Sequence, residues 1–199
     1  MNKTFMVSAL LALTACNNHE SVRPSEAAKP VPPAANSAET HAKQAVQLFF
    51  QACIVTGADE DKLVAFATQA KLSALNEAQK REFNFEPQAR QVWGAHTQEG
   101  GLFFLVSGKQ YCSVNAHTAD PKTIEQEMAQ LATQTADSLG VKAKKVKEEA
   151  LPNIPTAKQT AYVLQQTGRP NGILLTVYTD SNPQAASQAD LNLRLVVTK

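Results

Sequence analysis

Residues 91–117 read QVWGAHTQEGGLFFLVSGKQYCSVNAH. Three apolar-rich runs, 91–97, 102–107 and 111–117, are separated by Gly100-Gly101 and Gly108-Lys109. Short runs of β-branched and aromatic residues between glycine-bearing turns predict an antiparallel meander. The third run alternates cleanly. Cys112, Val114 and Ala116 share one face, and Tyr111, Ser113 and Asn115 share the other, because successive strand side chains point to opposite sides. Phe103-Phe104 puts one ring on each face of the second strand. One ring can meet helices, and the other needs cover from elsewhere or stands exposed.

Toward the amino terminus the apolar period changes from 2 to about 3.6. Val46, Phe49, Phe50, Cys53 and Ile54 recur at helical spacing and fall on one face. Asn36 and Glu39 have the spacing of a capping box, and Gly57 ends the segment. A second helix is expected from Asp59, with Glu60 and Asp61 against the amino-terminal dipole and a stripe of Leu63, Phe66, Ala67 and Ala70. Residues 73–82 read as a third, polar helix.

Toward the carboxyl terminus, Asp120 is a predicted N-cap and Pro121 the first helical residue. Ile124, Met128, Leu131, Thr135 and Leu139 line one side of that helix, and Gly140 is its expected stop. Residues 141–147, 160–167 and 173–179 read as strands, the last two paired across the 168–172 turn. Residues 148–158 read as a long loop. Leu191, Leu193, Leu195 and Val197 alternate as a final strand. Helices, three strands, a helix and up to four strands, joined by tight turns, predict an α+β domain. It has two layers, with helices packed on one face of a mainly antiparallel sheet.

The first sixteen residues obey different rules. Lys3 is followed by a short apolar run, Phe5 to Leu13, and by Leu13-Thr14-Ala15-Cys16. As a helix the run rises about 13 Å, well short of a hydrocarbon core of about 30 Å, so it reads as a signal peptide and not a membrane span. Leu-Thr-Ala-Cys resembles the lipobox of bacterial lipoproteins. The resemblance implies cleavage after residue 15 and acylation of Cys16, which anchors the chain to a membrane. Asn17 is not the aspartate that favours inner-membrane retention, so the same resemblance implies the outer membrane, facing the periplasm. Residues 16–37 then form a Pro/Ala-rich tether, with Pro24, Pro30, Pro32 and Pro33 and hardly any large apolar side chain. Such a segment cannot offset its ordering entropy by burial. It reaches roughly 25 Å as a coil and about 65 Å if extended. Residues 38–199 are long enough for one domain with one core.

Two further cysteines, Cys53 and Cys112, lie on the apolar faces of the first helix and the third strand. An even pair in an oxidising compartment is most simply a disulfide. The rival readings are two separate buried thiols or a reactive cysteine. Nothing basic adjoins Cys53, which disfavours an activated thiolate.

Charge excludes one partner class. The chain carries 19 basic and 18 acidic residues, and Lys3 is the only charged residue before Cys16, so the rest is balanced. Nucleic-acid binders show a basic excess or face. The single basic cluster, Lys142, Lys144, Lys145 and Lys147, is followed by Glu148 and Glu149 and reads as a solvated strand edge. No nucleophile elbow, Ser-x-x-Lys pair, phosphate loop or clustered metal-ligand motif occurs. Glu77, Glu82 and Glu86 fit a polar helix as well as a carboxylate pair. His19 and His41 fall in or near the tether, and His96 and His117 near strand ends, all reading as surface residues. No metal, cofactor or catalytic residue is expected.

Beyond the lipobox, the domain resembles small proteobacterial envelope proteins. The shared features are Phe49-x3-Cys53, the single tryptophan Trp93 and the Tyr111-Cys112-Ser113-Val114 strand. The resemblance implies no activity. The expected function is a non-catalytic lipoprotein that binds an envelope or secreted protein, as an inhibitor, an immunity protein or an assembly factor. An envelope hydrolase with an unrecognised site and a purely structural lipoprotein are the alternatives. The candidate binding surface is Trp93, Phe103, Phe104, Tyr111 and Tyr178, since aromatics are enriched at binding hot spots.

Overall fold

Local chemistry sets the helix ends. In the computed structural model, the Asp59 carboxylate accepts from the Lys62 amide at 3.1 Å and caps α2 (Glu60–Gln69). Asp120 does the same for α4 (Pro121–Ser138), accepting from the Thr123 amide at 2.7 Å, with Pro121 in the first turn. Gly140 stops α4 with φ at +65°, a conformation that a Cβ disfavours. The structure describes residues 35–83, 85, 89–98, 100–165 and 171–197. They belong to the compact unit Pro32–Lys199. The expected signal peptide, Cys16, most of the expected tether, Glu86, residues 166–167 of the expected strand and residues 168–170 of the expected turn lie outside the described residues.

Two helix expectations need correction. α1 (Ala35–Phe49) begins before Asn36, which therefore sits inside it and not at its cap. The polar segment 73–82 divides. Ser73–Ala74 is a short strand, β1, and α3 is only Glu77–Glu82. Asn76 and Gln79 explain the break. They exchange side-chain and backbone hydrogen bonds at 3.0 and 2.9 Å in a capping box, which fixes the helix start at residue 77.

After α1 the chain makes a π-helical turn, Phe50–Ile54. The wider turn rotates the side chains that follow α1. Ala52 and Cys53 point into the core, while Phe50 is 43% exposed and not part of the buried stripe. Cys53 is thereby brought to β4, and the Cys53–Cys112 disulfide is formed, with the two Cα atoms 5.4 Å apart.

The remaining strands are β2 (Gln91–His96), β3 (Leu102–Gly108), β4 (Tyr111–Ala116), β5 (Lys142–Leu151), β6 (Ile154–Gln165), β7 (Asn171–Asp180) and β8 (Ala189–Val197). They form one antiparallel sheet in the order β1-β2-β3-β4-β8-β7-β6-β5. The protein is therefore α+β, with four helices and one eight-stranded sheet among the described residues. The expected loop at 148–158 is instead the end of β5, a tight turn and the start of β6. The strand expected at 141–147 is β5, and its full length is hidden because it is an edge strand, mostly exposed, with no apolar alternation to read. Its lysines suit an edge that must not pair with another chain.

Buried side chains divide into two clusters. The larger draws on α1, α2 and α4, with Phe49, Leu63, Ile124 and Met128 against Cys112, Val114, Leu175, Leu191 and Leu193. The smaller consists of Val92, Phe104 and Val106, with Leu75, Phe85, Ala89 and Tyr111 packed on it. Beyond the clusters, α4 is tied to the β5–β6 hairpin by ions. Lys158 Nζ donates to Glu125 Oε2 and Glu148 Oε1, both at 2.8 Å. The hydrogen bonds from Lys145 and Lys158 hold the Glu148 carboxyl down at about 2.

His41 overturns its reading as a surface residue. It is only 1% exposed. Its Nδ1 lies 3.0 Å from Thr118 Oγ1, and its ring meets Phe103 edge-on, with centroids 6.3 Å apart. Gly101 permits that packing, because a Cβ there would meet the His41 ring and Thr97 Oγ1 at 2.9 Å. Among the described residues, no helix is long and apolar enough to cross a membrane.

Candidate functional site

Three polar cross-strand pairs follow one another where β4 meets β8. Tyr111 lies opposite Arg194, Ser113 opposite Asn192, and Asn115 opposite Asp190. The intervening residues of both strands, Cys112, Val114, Leu191 and Leu193, belong to the larger core. Strand alternation therefore concentrates the polar residues on the opposite side of the sheet. They form the floor of a groove of about 430 Å³. One wall is apolar, with Phe83, Phe85, Ala89 and Val106. The other carries Tyr178.

The floor is linked internally. Asn115 Nδ2 donates to Asp190 Oδ1 at 2.8 Å. Asn192 Nδ2 sits 3.4 Å from the Asp190 carbonyl, a long contact. The Arg194 guanidinium lies 5.0 Å over the Tyr111 ring, within cation–π range. Gln159 Nε2 donates to Tyr178 Oη at 2.9 Å. Ser113 is 1% exposed, and its Oγ has no hydrogen-bond partner among the described residues. Buried hydroxyls usually find one.

A second depression, of about 580 Å³, adjoins the first. It shares Tyr111 and Arg194 and continues over Arg90, the Gly108-Lys109-Gln110 turn and Leu195. Tyr111 and Arg194 therefore form a ridge between two concavities.

The five aromatic residues singled out in the sequence separate by depth. Trp93 and Phe103 are in the larger core, at 5% and 2% exposed. Phe104 lies on the groove side but under cover, with ring centroids 4.6 Å from Phe83 and 5.2 Å from Phe85. Tyr111 and Tyr178 are half-buried and line the groove. Sequence reading missed Asn115, Asp190, Asn192 and Arg194. Asn115 and Ser113 were visible as the polar face of an alternating strand. Asp190 was not, because the β4–β8 register joins residues 75 positions apart.

His117 closes one end of the apolar wall. It packs on Phe104 and Phe83, with centroids 5.1 and 6.1 Å apart. It is half-buried, not the surface residue the sequence suggested. Burial pushes its imidazole below the usual value of 6.5. Between the two values the unfolded chain binds more protons than the folded one, so stability is fully present above about 6.5 and falls as pH drops through the window below it. Urea midpoints are expected to decline across that window, and His117→Gln should flatten the decline. An equal slope in the variant contradicts this assignment.

Comparison with known proteins matches this chain to no family model, no curated protein and no solved structure.

Proposed function

We propose that this chain is a non-catalytic lipoprotein that binds another protein of the envelope or a secreted one. Acylated Cys16 anchors it in the outer membrane, facing the periplasm, and the residues between Cys16 and α1 act as the tether. The domain is read as two-layered, with α1, α2 and α4 over one sheet face and the binding surface on the other. The observation that carries the reading is the Tyr111–Arg194 ridge. Tyrosine and arginine are over-represented among residues that dominate binding energy. Here they are stacked, the tyrosine half-buried and the arginine exposed, between two adjoining hollows. Such a pair presents a rigid aromatic with a charged cap at little entropic cost.

The test is a crosslinked pull-down from native envelopes with tagged, lipidated bait. One stoichiometric protein is expected, with its recovery reduced at least about tenfold by Tyr111→Ala or Arg194→Ala. Cys16→Ser is expected to release the bait from the membrane fraction. A partner retained equally by both ridge variants refutes the site. A Cys16→Ser bait that stays in the membrane fraction refutes the anchor.

A further inference from the structure

We infer that the groove beyond the ridge binds a neutral, hydroxyl-rich ligand, a short oligosaccharide or the end of a glycan chain. This goes beyond the protein-binding reading and does not depend on it. Three observations carry it.

The first is charge. Among the described residues lining the groove, the formally charged ones are Arg194 and Asp190, one of each sign. A carboxylate or phosphate gains at Arg194 and loses at Asp190, and a cation does the reverse. A neutral ligand meets no such conflict.

The second is the mixture of donors and acceptors. With Asn115 Nδ2 engaged by Asp190, the Asn115 side-chain carbonyl oxygen is an acceptor. Tyr178 Oη already accepts from Gln159, which leaves its proton to donate. Arg194 only donates, and the Ser113 hydroxyl does both. Vicinal hydroxyls also donate and accept, so a polyol can match this set along its length. The Ser113 hydroxyl on the floor is a buried group for which binding supplies the partner that the described residues do not.

The third is shape. The three cross-strand pairs run from residue 111 to residue 115 on β4, about 14 Å of strand, or roughly two to three pyranose rings. Phe83, Phe85 and Tyr178 offer apolar ring surface beside that polar floor, suited to the C–H faces of sugar rings.

The experiment is NMR titration of the full lipoprotein in a micelle of a detergent without a sugar headgroup. The probes are chitotriose and maltotriose, set against trialanine and trigalacturonate. Saturable binding of at least one neutral trisaccharide is expected, with shifts in the Asn115 and Asn192 side-chain amides. Asn115→Leu should weaken it about tenfold. Ser113→Ala should weaken it about 2- to 10-fold without lowering the unfolding midpoint, since it removes an unpaired buried hydroxyl. Ser107→Ala is the control. Its hydroxyl is equally buried and unpartnered among the described residues, but it lies opposite Cys112, on the core side. Binding unchanged in Ser113→Ala and Asn115→Leu, tighter binding of trialanine or trigalacturonate, or no saccharide binding at millimolar concentration each overturns the inference. A pull-down partner lost on Tyr111→Ala while saccharide binding persists separates the two proposals.

Discussion

Cys53→Ala/Cys112→Ala is expected to lower the unfolding free energy by about 4 kcal/mol. The two residues are 59 positions apart, and closing a loop of that length removes substantial entropy from the unfolded chain. Both are fully buried, so the variant also loses sulfur packing between the π-helical turn and β4. Domains of this size have roughly 5–15 kcal/mol in total, so the loss takes a large share of it. A reductant acting on the unaltered protein should give a similar fall in the urea midpoint. A double variant with an unaltered midpoint would show that the bridge contributes nothing to stability. The consequence for function is positional. Cys112 lies between Tyr111 and Ser113, so the bridge fixes the strand that carries half of the groove floor to the helical segment following α1.

Phe104→Ala is expected to cost about 3–5 kcal/mol, the range for truncating a buried aromatic. Its ring is 2% exposed and holds Phe83, Phe85 and His117 against the sheet. Partial collapse of the covering segment will place the value toward the lower end. Phe103→Ala should cost a similar amount, since Phe103 is equally buried on the core side. The two variants part company in their local effect. The segment bearing α3 is held by the Leu75 amide donating to the Val92 carbonyl at 2.8 Å, by Lys80 Nζ donating to the Arg90 carbonyl at 3.0 Å, and by its contacts with Phe104. Removing Phe104 takes away its apolar seat. Trypsin should then cut at Lys80, Arg81 or Arg90 much faster than in Phe103→Ala, measured under conditions where both remain folded. Equal cleavage rates in the two variants would show that Phe104 does not seat the wall of the groove.

The meander and α4 were legible because their signals are local. Asp120-Pro121, Gly140 and the alternation around Cys112 each involve neighbours in sequence. The disulfide was legible because periodicity placed both cysteines on apolar faces. The charged edge β5 was half-legible: its lysines announced an edge, but with no buried face its length could not be read. His41 was misread because its partner Thr118 is 77 residues away. Phe50 was misplaced because a π-helical turn breaks the 3.6-residue period at that point. The groove floor was least visible. It depends on β8 lying beside β4, a pairing that no turn or local motif encodes.

That pairing also sets a timetable. β8 sits near the middle of the sheet, between β4 and β7, yet it is the last strand in sequence among the described residues. A chain emerging from its amino terminus can assemble α1, β2–β4 and the Cys53–Cys112 bridge, and separately the β5–β7 hairpins, before β8 exists. The two halves have no strand-to-strand link until β8 arrives and joins both. Such distant pairing is slow, because the loop entropy is lost before the contacts form. Until then the flanks of β4 and β7 are open edges, prone to wrong partners. The groove floor is thus completed in one late event: the strand that completes the sheet also delivers Asp190, Asn192 and Arg194 to it.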